Sequence, residues 1–234
     1  EPIFPPSLRL NKTQPMVLTK DGFTWYQPTT LSSLLSLKKE FPQARIVVGN
    51  TEVGIETKFK NFEYPTILNP SRVKELKCIE VSEKGLTVGA AVTVNRLSQF
   101  IGDMMSSTSD VPAFKLRGLA AIKAQFQWFA SNQIRNVACI GGNICTASPI
   151  SDLNPMLIAC GAVATNMSLV DGESKSREVP LGDFFLGYRK VNVQPEEVLM
   201  NIFIPFTSET EFVIPLKQAR RREDDISIVT GGFR

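Results

Sequence analysis

Histidine is absent from all 234 residues of this chain. Its absence excludes Ser-His-Asp and Cys-His nucleophilic sites and removes the commonest transition-metal ligand. Cysteine is scarce as well: Cys78, Cys139, Cys145 and Cys160 are the only four, and no two stand in a CxxC spacing. Zinc fingers go with them, and so few cysteines in a chain of this length give no disulfide framework. Free, mostly buried thiols in a reducing compartment are expected. No apolar run reaches the roughly 18 to 20 residues of a membrane span. The opening Glu1-Pro2-Ile3-Phe4-Pro5-Pro6 lacks the basic and apolar parts of a secretory leader, so the sequons at Asn11 and Asn166 are read as chance matches. An excess of one charge is missing too, since 26 basic and 23 acidic residues leave a net +3. The one basic run, Arg220-Arg221-Arg222, is answered at once by Glu223-Asp224-Asp225. Neither nucleic acid nor a membrane is implied as a partner.

What remains is ordinary globular material, 43% apolar and 21% charged, enough for one large domain or two small ones. Four prolines in the first fifteen residues read as a linker, and the N-terminal segment looks like a connector within a longer chain. Phe23–Tyr26 reads as a strand, Leu31–Lys39 as a helix with Thr30 as N-cap, and Ala44–Val48 as a β-branched strand. That β-α-β order suits a nucleotide-binding layer. Thr66–Asn69 is a further strand, and Cys78–Val81 with Leu86–Ala90 reads as a hairpin across Glu83-Lys84-Gly85. Helices are expected from Thr93 and over Leu116–Phe129, and strands over Ala162–Val170, Glu178–Val179 and Val198–Ile204. The strand-like Ile226–Val229, close to the last residue, has no evident partner, which is read as the mark of a fragment. The class is α+β with two subdomains, divided near Ser71 to Cys78.

Two segments carry chemistry. In Val47-Val48-Gly49-Asn50-Thr51-Glu52-Val53-Gly54 a strand runs into a loop bounded by glycines. Such a loop can turn several backbone N–H groups toward one point, and oriented N–H dipoles suit a pyrophosphate. The spacing is neither G-x-G-x-x-G nor a P-loop, and an ordinary strand–turn is the alternative. In Ile140–Pro155, the adjacent Gly141-Gly142 permit close backbone approach, and Thr146, Ser148 and Ser151 offer hydroxyls without bulk. Asp152 suits a ribose or ribityl hydroxyl; capping the helix that follows is the alternative. About ninety residues apart, the two segments suggest an extended dinucleotide held between two subdomains.

The strings IVVGNTEVGIE, QFQWFASNQIRNVACIGGNICTASPISDLNP, FFLGYRK and LKQARRREDDI resemble the FAD domain of the xanthine dehydrogenase/oxidase family of molybdenum hydroxylases. The resemblance covers nearly the whole chain and is weakest at 102–121. It implies an FAD-binding PCMH-type (vanillyl-alcohol-oxidase-like) fold with the cofactor between two subdomains. Its divisions would be a linker over 1–20, an N-terminal β-α-β FAD-binding subdomain over 21–70, a second over 71–205, and the start of a C-terminal flavoprotein subdomain over 206–234.

By the same resemblance Ile46, Val47, Val48, Gly49, Asn50, Thr51, Glu52 and Val53 would wrap the diphosphate and ribityl chain. Phe129 would stack near the isoalloxazine; Ala138, Cys139, Ile140, Gly142 and Asn143 would line the pocket; Ser151 and Asp152 would reach its polar parts; and Leu199 would contact the cofactor from the second subdomain. Lys217 matches the family's flavin-contacting lysine, where an ammonium would stabilise the negative charge of reduced flavin. Glu52 and Tyr188 would flank the nicotinamide of NAD, and Arg221 and Asp224 would tune electron disposal. Arg220 departs from a position that is often small or polar, which leaves the local charge there open. The whole enzyme would add molybdopterin, two [2Fe-2S] clusters and a homodimer, placed in cytoplasm or peroxisome, and would oxidise hypoxanthine and xanthine to urate. An aldehyde oxidase using oxygen, or a non-catalytic interaction domain on the same scaffold, are the rival readings.

Overall fold

The structure, a computed structural model, describes residue 5 and residues 14–106, 111–221 and 225–234. Its first layer is a four-stranded mixed sheet in the order β1-β2-β4-β3, made of β1 (Met16–Lys20), β2 (Phe23–Gln27), β3 (Arg45–Ile46) and β4 (Thr66–Leu68). β1 and β2 form an antiparallel hairpin in which Lys20 faces Phe23. Asp21 (φ 51°) and Gly22 (φ 80°) make its two-residue turn, the left-handed pair that matches the twist of flanking strands. The linker expected over 1–20 is therefore strand over its last five residues.

Helix α1 (Leu31–Glu40) follows β2, with Thr30 Oγ1 accepting from Ser33 N at 3.2 Å. Leu34 and Leu35 are fully buried on one face. Pro42 bars the α region to Phe41 and stops the helix there (φ −121°, ψ 74°). β3 does not pair with β2, because β4 lies between them, parallel to both. The strand expected over Ala44–Val48 keeps only Arg45–Ile46, and the chain then turns into helix α2 (Val53–Phe59). The second half of the glycine octet is thus a helix start rather than loop.

The second sheet is antiparallel, in the order β5-β6-β11-β7-β8: β5 (Ile79–Val81), β6 (Gly85–Gly89), β7 (Val163–Val170), β8 (Glu173–Pro180) and β11 (Val198–Pro205). Its central strand β11 reads Val198-Leu199-Met200-Asn201-Ile202, is buried on both faces, and pairs with β6 and β7. Such a doubly covered strand carries a continuous apolar run. The helices α3 (Val94–Ser106), α4 (Arg117–Phe126), α5 (Asn132–Val137), α6 (Ile140–Thr146) and α7 (Asn154–Ala159) come from the connection between β6 and β7. A one-turn helix α8 (Leu181–Phe184) leads into the short ribbon β9 (Phe185–Gly187) and β10 (Lys190–Val191). A last ribbon pairs β12 (Ile214–Ala219) with β13 (Ser227–Phe233). The strand-like Ile226–Val229 therefore has its partner inside the chain.

Helix α1 packs against β4 of the first sheet and β7 of the second, so it is shared by both layers. One cluster of buried side chains runs from Leu34 and Leu68 through Leu97, Ile122 and Leu157 to Ile202, without a break between the sheets. No helix of the described residues is long and apolar enough to cross a membrane.

Candidate functional site

The loop after β3 is shaped by two residues with different tasks. Asn50 takes the left-handed turn (φ 57°), a conformation asparagine tolerates better than most side chains. Gly49 is there for contact: a Cβ at this position would lie 1.9 Å from the Val137 carbonyl oxygen. Only glycine lets the first loop lie on the backbone at the end of α5. Behind the loop, Asn69 Nδ2 donates to the Val47 carbonyl at 2.9 Å and fixes the strand end. Asn69 was missed by sequence reasoning, although an Asn-Pro pair after a strand marks a turn.

The backbone donors of this loop divide sharply. Val47 N–H goes to the Leu68 carbonyl at 2.9 Å. Among the described residues, none of the N–H groups from Val48 to Glu52 has an acceptor within the chain. Five consecutive amides without a partner among the described residues are donors left for water or a ligand.

The second segment works differently. Ile140–Thr146 is the short helix α6, with Cys139 Sγ accepting from Gly142 N at 3.2 Å as its cap. The N–H of Ile140 goes to Val92 O, that of Gly141 to Ala90 O and that of Asn143 to Cys139 O, so this backbone is already spent. Gly141 is required for packing, since a Cβ would meet Ala90 Cβ at 2.6 Å. The segment offers side chains instead. Ser151 Oγ donates to Asn143 Oδ1 at 2.8 Å and accepts from Leu153 N and Asn154 N. Capping of α7 therefore falls to Ser151, and Asp152 is free for another partner.

Both segments open on one cavity of about 630 Å³. Ile46, Val47, Val48, Gly49, Asn50, Thr51, Glu52 and Val53 line one side, and Ala138, Cys139, Gly142, Asn143, Ser151 and Asp152 another. Phe129 and Leu199, both largely buried, complete the apolar part. Asn50 and Asn143 thus share one cleft. Ile140 lies behind the wall, fully buried. Thr146, one of the expected hydroxyls, and Cys145 also contribute, as do Lys38, Arg45, Ile134, Val191, Val193, Gln194 and Glu197, which were not foreseen. A volume of this order suits a cofactor-sized ligand.

Charged groups ring the cavity in pairs. Lys217 Nζ, 5% exposed at the side chain, donates to Asp152 Oδ2 at 2.9 Å, Trp128 O at 2.7 Å and Asp225 O at 2.8 Å. Its three protons are therefore used, and Lys217 does not line the cavity; Asp152 stands between them. Burial pushes the Asp152 carboxyl up, and the Lys217 ammonium offsets only part of that rise. Lys217 and Arg221 line a smaller neighbouring cavity of about 290 Å³ beside Trp128. Arg221 pairs with Asp225 at 3.5 Å, and Asp224 lies outside the described residues.

Glu197 accepts two hydrogen bonds from Arg177, at 2.8 and 2.6 Å, and one from Gln194 N at 2.8 Å. Burial alone would push its carboxyl up, but these donors and the guanidinium charge hold it below the usual range. Arg189, in the left-handed region (φ 54°), reaches from the β9–β10 ribbon to Glu52 at 2.7 Å and Glu56 at 3.2 Å. Tyr188 beside it is 73% exposed and outside the cavity. Burial pushes the Cys145 thiol up to about 12 and raises that of Cys139, so both are neutral wall groups. Cys78, Cys139, Cys145 and Cys160 are all free, with Cys139 and Cys160 buried and Cys78 exposed. Among the described residues no group of three metal-ligating side chains occurs.

Comparison with known proteins fits this geometry. The family described as "FAD binding domain in molybdopterin dehydrogenase" matches residues 21–207. Xanthine dehydrogenase of Dictyostelium discoideum is 53% identical over 237 residues, which take in 100% of this chain and 18% of that protein. Xanthine dehydrogenase/oxidase of Gallus gallus is 47% identical, over 100% of this chain and 17% of that protein. The chain thus spans less than a fifth of these relatives' length. Among solved structures, quinoline 2-oxidoreductase from Pseudomonas putida 86 superposes with a TM-score of 0.75 at 22% identity, covering 91% of this chain and 68% of that one. CO dehydrogenase from Oligotropha carboxidovorans gives the same score and identity, covering 91% and 69%. The α+β, PCMH-type FAD-binding fold expected from the sequence is the fold observed.

Proposed function

This chain belongs to the family of FAD-binding domains in molybdopterin dehydrogenases, and from that premise we propose that it is the FAD domain of a xanthine dehydrogenase, carrying electrons out of the oxidation of hypoxanthine and xanthine to urate. The observation that carries the reading is the run of unpartnered amides from Val48 to Glu52 on a cavity walled by both sheets. The donor set fits an extended dinucleotide: amides for a diphosphate, Asn143, Ser151 and Asp152 for polyol hydroxyls, and Phe129 with Leu199 for a ring system.

A bound flavin supplies two-electron chemistry, accepting from [2Fe-2S] clusters and giving a hydride to NAD or electrons to oxygen. The chain's own residues bind, orient and set charge. Gly49 and Gly141 hold the cavity walls in close register. Asp152 presents a carboxylate whose charge Lys217 balances from behind, so the field of that lysine reaches the cavity through Asp152. Glu52 and Tyr188 stand near one another through Arg189, where a nicotinamide would dock, and Arg221 and Asp224 would bias electron disposal. Molybdopterin, the iron–sulfur clusters, a homodimeric enzyme and residence in cytoplasm or peroxisome complete the proposal, all supplied by parts beyond this chain.

The test is anaerobic reduction of the flavin-loaded protein followed by addition of NAD. Return of the oxidised-flavin absorbance supports the dehydrogenase. Reoxidation by oxygen alone favours the aldehyde-oxidase reading, and absence of bound flavin favours a non-catalytic interaction domain.

A further inference from the structure

We propose that Lys38 is the cationic anchor of the phosphate-bearing half of the dinucleotide, an inference that rests on the flavin reading above. Lys38 belongs to α1, the helix shared by the two sheets, and is 7% exposed. Its Nζ donates to Pro42 O at 2.7 Å and Ala44 O at 3.1 Å. An ammonium has three donors, so two are used and one remains. The residue lines the large cavity.

Charge makes the position informative. A buried ammonium is costly without an anionic partner, and Lys38 has no ion pair among the described residues. The carboxylates that line the cavity are Glu52, Asp152 and Glu197. Each is already bound to another cation: Glu52 to Arg189, Asp152 to Lys217 and Glu197 to Arg177. None is left to neutralise Lys38. Burial, and after it the Arg45 guanidinium on the same wall, lower the Lys38 ammonium from its ordinary range. Arg45 is itself paired with Glu56 at 3.7 Å, so among the described residues Lys38 is the cavity-lining cation without a counter-ion, and it asks for an anion from outside. β3 carries Arg45 and runs directly into the Val48–Glu52 loop, and Lys38, Arg45 and that loop line one cavity. A diphosphate meets both demands; the uncharged isoalloxazine meets neither.

The carbonyls of Pro42 and Ala44 suggest a plainer task, in which Lys38 merely closes the turn after α1. The two roles separate by ligand. In the full chain stripped of flavin, Lys38→Met is expected to weaken FAD about tenfold or more, in keeping with loss of a charge-assisted contact, and to leave riboflavin, which lacks phosphate, within about twofold. Equal losses for FAD and riboflavin would assign Lys38 to the turn and overturn the proposal, as would an unchanged affinity for FAD. A second measurement uses the unaltered protein, in case the variant does not fold. Acetylation of Lys38, followed by mass spectrometry, should slow with ADP as strongly as with FAD and remain unchanged with riboflavin. Failure of ADP to protect Lys38 overturns the anchor while leaving the flavin reading intact. Failure of the unaltered chain to bind FAD overturns both.

Discussion

Arg189 Nη1 lies 2.7 Å from Glu52 Oε1 although the two residues are 137 apart in sequence. The same nitrogen is 3.2 Å from Glu56 Oε1, and Glu56 also accepts from Tyr64 Oη at 2.7 Å. One guanidinium thus ties the β9–β10 ribbon to the start of α2, at the rim of the cavity.

Arg189→Gln should therefore loosen the rim. The contact with Glu52 is partly exposed and contributes little, but Glu56 is 4% exposed and would lose a charged donor. A loss of about 1–3 kcal/mol is expected. Chemical denaturation checks it, and a change below a few tenths of a kcal/mol would show that Arg45 and Tyr64 suffice for Glu56.

Lys217→Met should be among the most damaging single changes. Side-chain exposures of 5% for Lys217 and 12% for Asp152 make this a buried pair, and breaking one typically costs ~3–5 kcal/mol. The loss should depend on pH with a definite sign. Asp152 has a raised folded-state carboxyl pKa, so its contribution is fully present below the unfolded value and is lost as pH rises through the folded one. Without Lys217 that pKa climbs further, and the variant should regain stability as the medium is acidified. Lys217→Met combined with Asp152→Asn should recover part of the loss in denaturation experiments at neutral pH. If the flavin reading holds, Lys217→Met should also shift the flavin potential, by way of Asp152; an unmoved potential would remove Lys217 from electron tuning.

The pair Arg177–Glu197 predicts the opposite acid behaviour. Glu197 is held below its ordinary value of 4.5, so its stabilisation is present above about that pH and disappears as pH falls through the lower folded value. Arg177→Met should cost on the order of 2 kcal/mol near neutrality and flatten the acid limb of the stability curve. A variant that keeps the full acid slope would contradict the assignment.

Gly49→Ala tests the seam between the cavity walls. Its new Cβ would sit 1.9 Å from Val137 O, a backbone atom that cannot rotate away. Overpacking should cost about 1–3 kcal/mol or more, and FAD affinity should fall with it. Gly22→Ala is a useful contrast: nothing lies within 4 Å of its Cβ, and only its left-handed φ of 80° is strained. Its cost should be confined to the β1–β2 turn, with flavin binding untouched.

Sequence pattern alone located Thr30 as a cap, the β5–β6 hairpin and the strand β11, because capping chemistry and apolar runs are local signals. It missed β1, whose Asp21-Gly22 turn is a strong hairpin signature hidden behind a proline-rich start. Both glycine segments were found, but their physics was only half legible. Gly49 and Gly141 matter because of Val137 and Ala90, contacts that exist only once the chain is folded. Which amides stay unpaired is likewise a tertiary fact: Val48–Glu52 keep theirs, whereas Ile140, Gly141 and Asn143 spend theirs on Val92, Ala90 and Cys139. Lys38 stands four residues after Leu34 and three after Leu35, so it shares their buried face, but its burial beside a cavity follows from the packing of α1 between two sheets.

Amide hydrogen exchange, with and without FAD, addresses the claim on which the rest depends. The N–H groups of Val48 to Glu52, which have no acceptor among the described residues, should exchange rapidly in the flavin-free protein and become strongly protected when FAD is added. Protection of the Asn143–Asp152 wall should follow at the same FAD concentration. Bound FAD with exchange at Val48–Glu52 unchanged would contradict the account.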